Sequence, residues 1–140
     1  MTALYTYTDK KITQFLLDPQ QIVEELTKYD ILYHSSTFHD VDEFIKQVMD
    51  EYDYTHYDII KIESPMIMNS LHRHKFREAR FIFKGTGTFY FNIDNKFIEL
   101  NVGPGDFITI PPMIDHNFKT VEVMDVMRFA QMPLGNYDEY

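Results

Sequence analysis

The chain has no cysteine and no tryptophan. Without thiols, disulfide scaffolds, Cys-ligated zinc sites and thiol nucleophiles are all excluded. Positive charge is scarce as well: 13 Lys and Arg stand against 22 Asp and Glu, a formal net charge of −9. Such a surface repels phosphate backbones and anionic membranes, so neither nucleic acid nor membrane is expected as a partner. A small anionic ligand stays compatible, because a buried metal and a few inward Arg reverse the local field. No apolar run approaches membrane-spanning length. The opening MTALYTYTDKK lacks the basic segment and long apolar stretch of a secretory signal, so a cytoplasmic protein is expected.

What is present is an aromatic, strand-rich chain, with ten Tyr and twelve Phe among 140 residues, a length suited to one domain. Asp18-Pro19 reads as a helix start, Asp capping free N–H groups and Pro fitting the first helical position. Ile22, Val23 and Leu26 follow at helical spacing, and Ile31-Leu32-Tyr33 reads as a short strand. A second helix is expected from Asp40, with Glu43 completing a capping box. Its stripe of Val41, Phe44, Ile45, Val48 and Tyr52 is read as core packing. From Tyr57 the period becomes strand-like, over Tyr57–Glu63, Arg77–Lys84, Thr88–Ile93, Lys96–Asn101, Phe107–Ile110 and Val121–Ala130. Turn signals separate these runs at Gly85-Thr86-Gly87, Asp94-Asn95 and Gly103-Pro104-Gly105-Asp106. Short strands at regular spacing indicate a β-sandwich or barrel. A helix/strand segment over residues 1–56 is expected to pack on a barrel over 57–140, in one domain.

The chemistry concentrates in Leu71-His72-Arg73-His74-Lys75-Phe76-Arg77-Glu78. Side chains alternate faces along an extended chain, so His72 and His74 point the same way, and Glu78 shares their parity. Two imidazoles and a carboxylate on one inward face suit a divalent first-row metal. A lone HxH is weak evidence by itself. The surroundings strengthen it: Glu78 is followed by six residues and Gly85, and Gly105, five residues, Pro111 and His116 form a second element.

This layout resembles the cupin superfamily, with HxHxxxE and a following Gly, then GxxxxxP leading to His. The resemblance implies a mainly β, cupin-type jelly-roll barrel with two N-terminal helices, and His116 delivered by a later strand as the fourth ligand. Met113 stands where the second motif often has Gly, and Thr120 where it often has Asn. Within cupins, the run from His72 through Glu78-Ala79-Arg80-Phe81 to Gly85-Thr86-Gly87 resembles acireductone dioxygenases. The likeness continues through Gly105–Pro111, His116-Asn117-Phe118 and Met127-Arg128-Phe129. Arg77 stands where that family usually has an acidic residue, Asn117 replaces a usual Trp, and 133–140 lacks a usual Gly-Trp ending.

The resemblance implies a methionine-salvage dioxygenase that cleaves an acireductone, an enediol next to a ketone, with O2. It implies one divalent metal on His72, His74, Glu78 and His116, with Fe(II) expected and Ni(II) the alternative. Three imidazoles and one carboxylate leave two of six octahedral positions for a chelating substrate. Arg80 shares the parity of Glu78 and is expected either to steady the anionic substrate or to hold Glu78 by an ion pair. Arg128 has the same expected role, and Phe118 is expected to line the pocket or to pack in the core. His34, His39 and His56 are read as surface or structural. The competing functions are another cupin dioxygenase or isomerase, or a metal-holding cupin that binds a small molecule without turnover.

Overall fold

A computed structural model of the chain describes residues 2–35, 41–63, 66–67, 77–120 and 122–130. Among them β1 (Ala3–Thr8) and β2 (Lys11–Leu16) form a hairpin ahead of α1 (Pro19–Thr27) and β3 (Leu32–Ser35). Next come α2 (Val41–Tyr52), β4 (His56–Ile62) and the two-residue β5 (Met66–Ile67). The remainder is strand: β6 (Glu78–Lys84), β7 (Gly87–Ile93), β8 (Lys96–Val102), β9 (Asp106–Ile110), β10 (Asp115–Thr120) and β11 (Met124–Ala130). The chain is mainly β with two helices in its first half, as the sequence leads one to expect. No described helix is long and apolar enough to cross a membrane.

The strands form two antiparallel sheets, ordered β2-β1-β8-β7-β10-β5 and β3-β9-β6-β11-β4. Their facing sides meet in one core. Leu4, Phe89, Phe91, Ile98, Leu100 and Phe118 come from the first sheet; Tyr33, Ile82, Ile108, Ile110, Met124 and Val126 come from the second. Helix α1 starts where the sequence places it, Asp18 accepting from the Gln20 N–H with Pro19 behind it, and it adds Ile22 and Leu26 to this core. Helix α2 carries Asp42 and Glu43 in its first turn, where the helix dipole favours acids. It packs Ile45 and Val48 onto the outer side of the second sheet, against Ala79, Phe81, Phe107, Met127 and Phe129. The expected Asp40 cap lies outside the described residues, as do the side chains of Val41 and Phe44.

Period-two alternation on β6 therefore divides two environments. Ala79 and Phe81 face α2, whereas Ile82 faces the inter-sheet core, as do Glu78 and Arg80 by parity. The hairpin β1–β2 is absent from the sequence expectation, and its pattern explains why. Leu4 and Thr6 are the buried residues near the middle of β1, while Tyr5 and Tyr7 lie on the opposite face, so hydrophobicity does not alternate. The strand is held by pairing with β8, a partner remote in sequence. The expected strand Val121–Ala130 begins at Met124.

Candidate metal centre

Glu78 opens β6, paired with Ile110 of β9, and His116 sits on β10, paired with Phe91 of β7. One residue comes from each sheet, and both side chains point into the space between them. Glu78 is 7% exposed and His116 2% exposed. Glu78 Oε2 lies 2.8 Å from His116 Nε2. On the other side of the ring, His116 Nδ1 lies 2.9 Å from the Ile114 carbonyl oxygen. In the neutral ring Nδ1–H donates to that carbonyl, which turns the Nε2 lone pair toward Glu78. Two lone pairs at such a distance repel unless a proton or a cation lies between them.

The pair fits a divalent cation on two counts. An imidazole nitrogen and a carboxylate oxygen are the donor types such ions take. Donors bound at about 2.1 Å and at right angles on one ion lie about 3 Å apart, close to the separation seen. His72 and His74, the other two residues expected at the site, lie outside the described residues. Among the described residues no group of three or more His, Asp or Glu stands ready to hold one ion. His34 and His56 are exposed, away from this pair, and His39 lies outside the described residues.

Arg80 Nη2 lies 2.6 Å from Glu78 Oε1, so the two carboxylate oxygens are divided between a guanidinium and the imidazole. This is the ion pair with Glu78, one of the two roles expected for Arg80 from parity. Arg128 stands opposite Arg80 in the β11–β6 ladder. Like charges directly opposite destabilise a sheet, and here acids flank them. Arg128 makes a two-pronged contact with Asp58 of β4, Nε to Oδ1 at 2.9 Å and Nη2 to Oδ2 at 2.5 Å. A row Glu78–Arg80–Arg128–Asp58 thus crosses the inner face beyond the apolar layer of Ile60, Ile82 and Val126. Asp58 is absent from the sequence expectation; a lone acid on a strand of alternating pattern gives no signal until its cross-strand partner is known. Phe118 is buried, its ring 4.6 Å from that of Phe89 and packed over Gly87, where an added Cβ would collide with Phe118 Cζ.

The turn before His116 explains one departure from the motif. Met113 has φ +71°, a left-handed conformation that glycine adopts freely and other residues do not. Its side chain is 48% exposed, so little packing offsets the strain. Met113→Gly is expected to raise stability by about 0.5–1 kcal/mol in denaturant unfolding. A lower midpoint would instead show that the methionine side chain contributes packing.

Similarity to known proteins points the same way as this geometry. The model of the ARD/ARD' family matches residues 3–131. An acireductone dioxygenase of Rhodopseudomonas palustris (strain TIE-1) is 46% identical over 48 residues, 34% of this chain. That match spans 29% of the relative's own length. An acireductone dioxygenase of Heterostelium pallidum is 26% identical over 113 residues, covering 74% of this chain and 77% of that protein. The solved structure of an acireductone dioxygenase from Bacillus anthracis, with cadmium ion in its active centre, superposes with a TM-score of 0.74. It covers 94% of each chain at 18% identity, a likeness of fold. An oxalate decarboxylase from Bacillus subtilis gives a TM-score of 0.50 over 79% of this chain and 26% of that one, at 14% identity. A family model that spans nearly the whole chain decides the assignment: the chain belongs to the ARD/ARD' family.

Proposed function

We propose that this protein is a metal-dependent dioxygenase that cleaves an acireductone with O2, with His72, His74, Glu78 and His116 holding one divalent ion. The observation that supports it best is the buried contact of Glu78 Oε2 with His116 Nε2 at 2.8 Å, with the far ring nitrogen held by the Ile114 carbonyl. Fe(II) is the expected metal and Ni(II) the alternative; family membership and the cadmium in the Bacillus anthracis relative support a divalent ion. We read the two sheets as the halves of a cupin-type jelly-roll barrel, residues 1–56 packing on 57–140.

A metal bound there would supply Lewis acidity and open positions for a chelating enediolate. The chain's own residues do the rest. Arg80 fixes the rotamer of Glu78 through Oε1, so that Oε2 stays turned toward His116. The Ile114 carbonyl fixes the tautomer of His116. Arg80 and Arg128 are each paired with an acid, Glu78 and Asp58, so this row is balanced in charge and the two guanidinium groups act by holding those carboxylates in place. Phe91 and Phe118 close the floor with apolar surface and keep water from that side.

The test is direct. Protein loaded with Fe(II) or Ni(II) is mixed anaerobically with acireductone, then given O2. Loss of the enediol with matching O2 uptake is the expected result, and product analysis separates the two metals. Fully loaded protein that leaves both substrate and O2 unconsumed would overturn the proposal.

A further inference from the structure

Glu78 occupies a vulnerable place. It is the first residue of β6, and its pairing with Ile110 is the last rung of the β6–β9 ladder. Strand ends fray first, and a carboxylate on the final rung leaves its position whenever that rung opens. The residue just before it, Arg77, is anchored. Its Nη1 donates to the Asp30 carbonyl at 3.1 Å and to Thr109 Oγ1 at 3.0 Å, and its Nη2 to Asp30 Oδ2 at 2.5 Å. Asp30 lies in the turn between α1 and β3, at φ +60°. Thr109 is fully buried on β9, paired with Ala79 on one side and Leu32 on the other. Arg77 therefore reaches across β9 to the start of β3 and ties the open end of β6 to the neighbouring edge of its sheet.

We propose that Arg77, through this clamp on Asp30 and Thr109, is a positioning residue that keeps Glu78 facing the interior. The reason is strand parity. Adjacent residues point to opposite faces, and a slip of one residue exchanges them. Holding Arg77 on the outer face holds Glu78 on the inner one. An exposed ion pair alone contributes little. Here two prongs meet one residue and a buried hydroxyl takes a third bond, so the guanidinium geometry matters and an ammonium cannot reproduce it. Opening the clamp lowers the fraction of chains with Glu78 in place, and apparent metal affinity falls by that fraction.

The inference rests on the metal reading above, and the experiment keeps the two apart. Metal-free wild type, Arg77→Ala, Arg77→Lys, Asp30→Ala and the Arg77→Ala/Asp30→Ala double variant are titrated with Ni(II). Hydrogen exchange of the peptide over 77–82 is followed in parallel on the metal-free proteins. Arg77→Ala is expected to weaken Ni(II) binding roughly tenfold and Asp30→Ala by less, since the bonds to the Asp30 carbonyl and Thr109 survive it. The double variant should be no weaker than Arg77→Ala, and Arg77→Lys should fall between Arg77→Ala and wild type. Exchange at the start of β6 should quicken while α2 is unchanged. A folded Arg77→Ala protein with wild-type affinity and exchange overturns the clamp, as does a loss that Asp30→Ala does not share. If Arg77→Ala does not fold, Asp30→Ala, which removes only the acceptor side chain, carries the same decision. Wild type that takes up no Ni(II) overturns the metal reading instead, and the exchange data still decide whether the clamp exists.

Discussion

Glu78→Gln and His116→Ala are each expected to strip the protein of its metal and to lower acireductone-dependent O2 uptake by at least about a thousandfold. Glutamine keeps the shape of glutamate and loses its charge, so the substitution isolates the electrostatic part of the site. A divalent ion placed against Oε2 and Nε2 would then face a weak neutral oxygen, while Arg80, 2.6 Å from Oε1, would add an opposed positive charge. In His116→Ala the nitrogen is gone, together with the ring that fills the space beside Phe91. Neutralising Glu78 also breaks its buried ion pair with Arg80, so metal-free Glu78→Gln should unfold earlier than metal-free wild type. The pattern to look for is lost metal and lost turnover in a protein that still folds. If Glu78→Gln keeps metal content and rate near wild type, Glu78 is no ligand and the site must be sought elsewhere.

The largest effect on stability is expected at Asp106. This carboxylate, 2% exposed, accepts from the Thr2 hydroxyl at 2.5 Å, the Tyr33 hydroxyl at 2.8 Å and the Gly103 N–H at 2.9 Å. It joins Thr2, just ahead of β1, to β3 and the turn between β8 and β9 at one point. Burial pushes the Tyr33 phenol up to about 12, so its hydroxyl remains a donor at every physiological pH. Asp106→Ala deprives three donors of their acceptor at once, a cost of about 3–5 kcal/mol in urea unfolding. Tyr33→Phe removes one donor and should cost only about 1 kcal/mol, with a double-variant loss smaller than the sum. A loss under about 1 kcal/mol in Asp106→Ala would mean that water enters and serves the stranded donors.

Much of the fold is legible in the sequence alone. The Asp18-Pro19 start of α1, the apolar stripe of α2 and most strands from β4 onward follow from local periodicity and turn chemistry, which need no distant partner. The resemblance to the family is legible in the spacing of Glu78, Gly85, Gly105, Pro111 and His116 and in the Arg80 and Arg128 segments, and the family model matches residues 3–131. The strands β1 and β10 are harder to read, because their inward faces mix Thr6, His116 and Thr120 with Leu4 and Phe118. Burial there is imposed by neighbouring strands rather than by hydrophobicity.

The sequence by itself determined the residue types on offer, their parity along each strand and the family. Only the tertiary structure decided whom each one meets: that Arg80 spends its charge on Glu78, that Arg128 is gripped by Asp58, and that Arg77 faces away from the site onto Asp30. The physical reason is the range of the interactions. Parity and turn preference are set by a few adjacent dihedral angles. Partners across a sheet depend on register and burial, which the whole chain settles together.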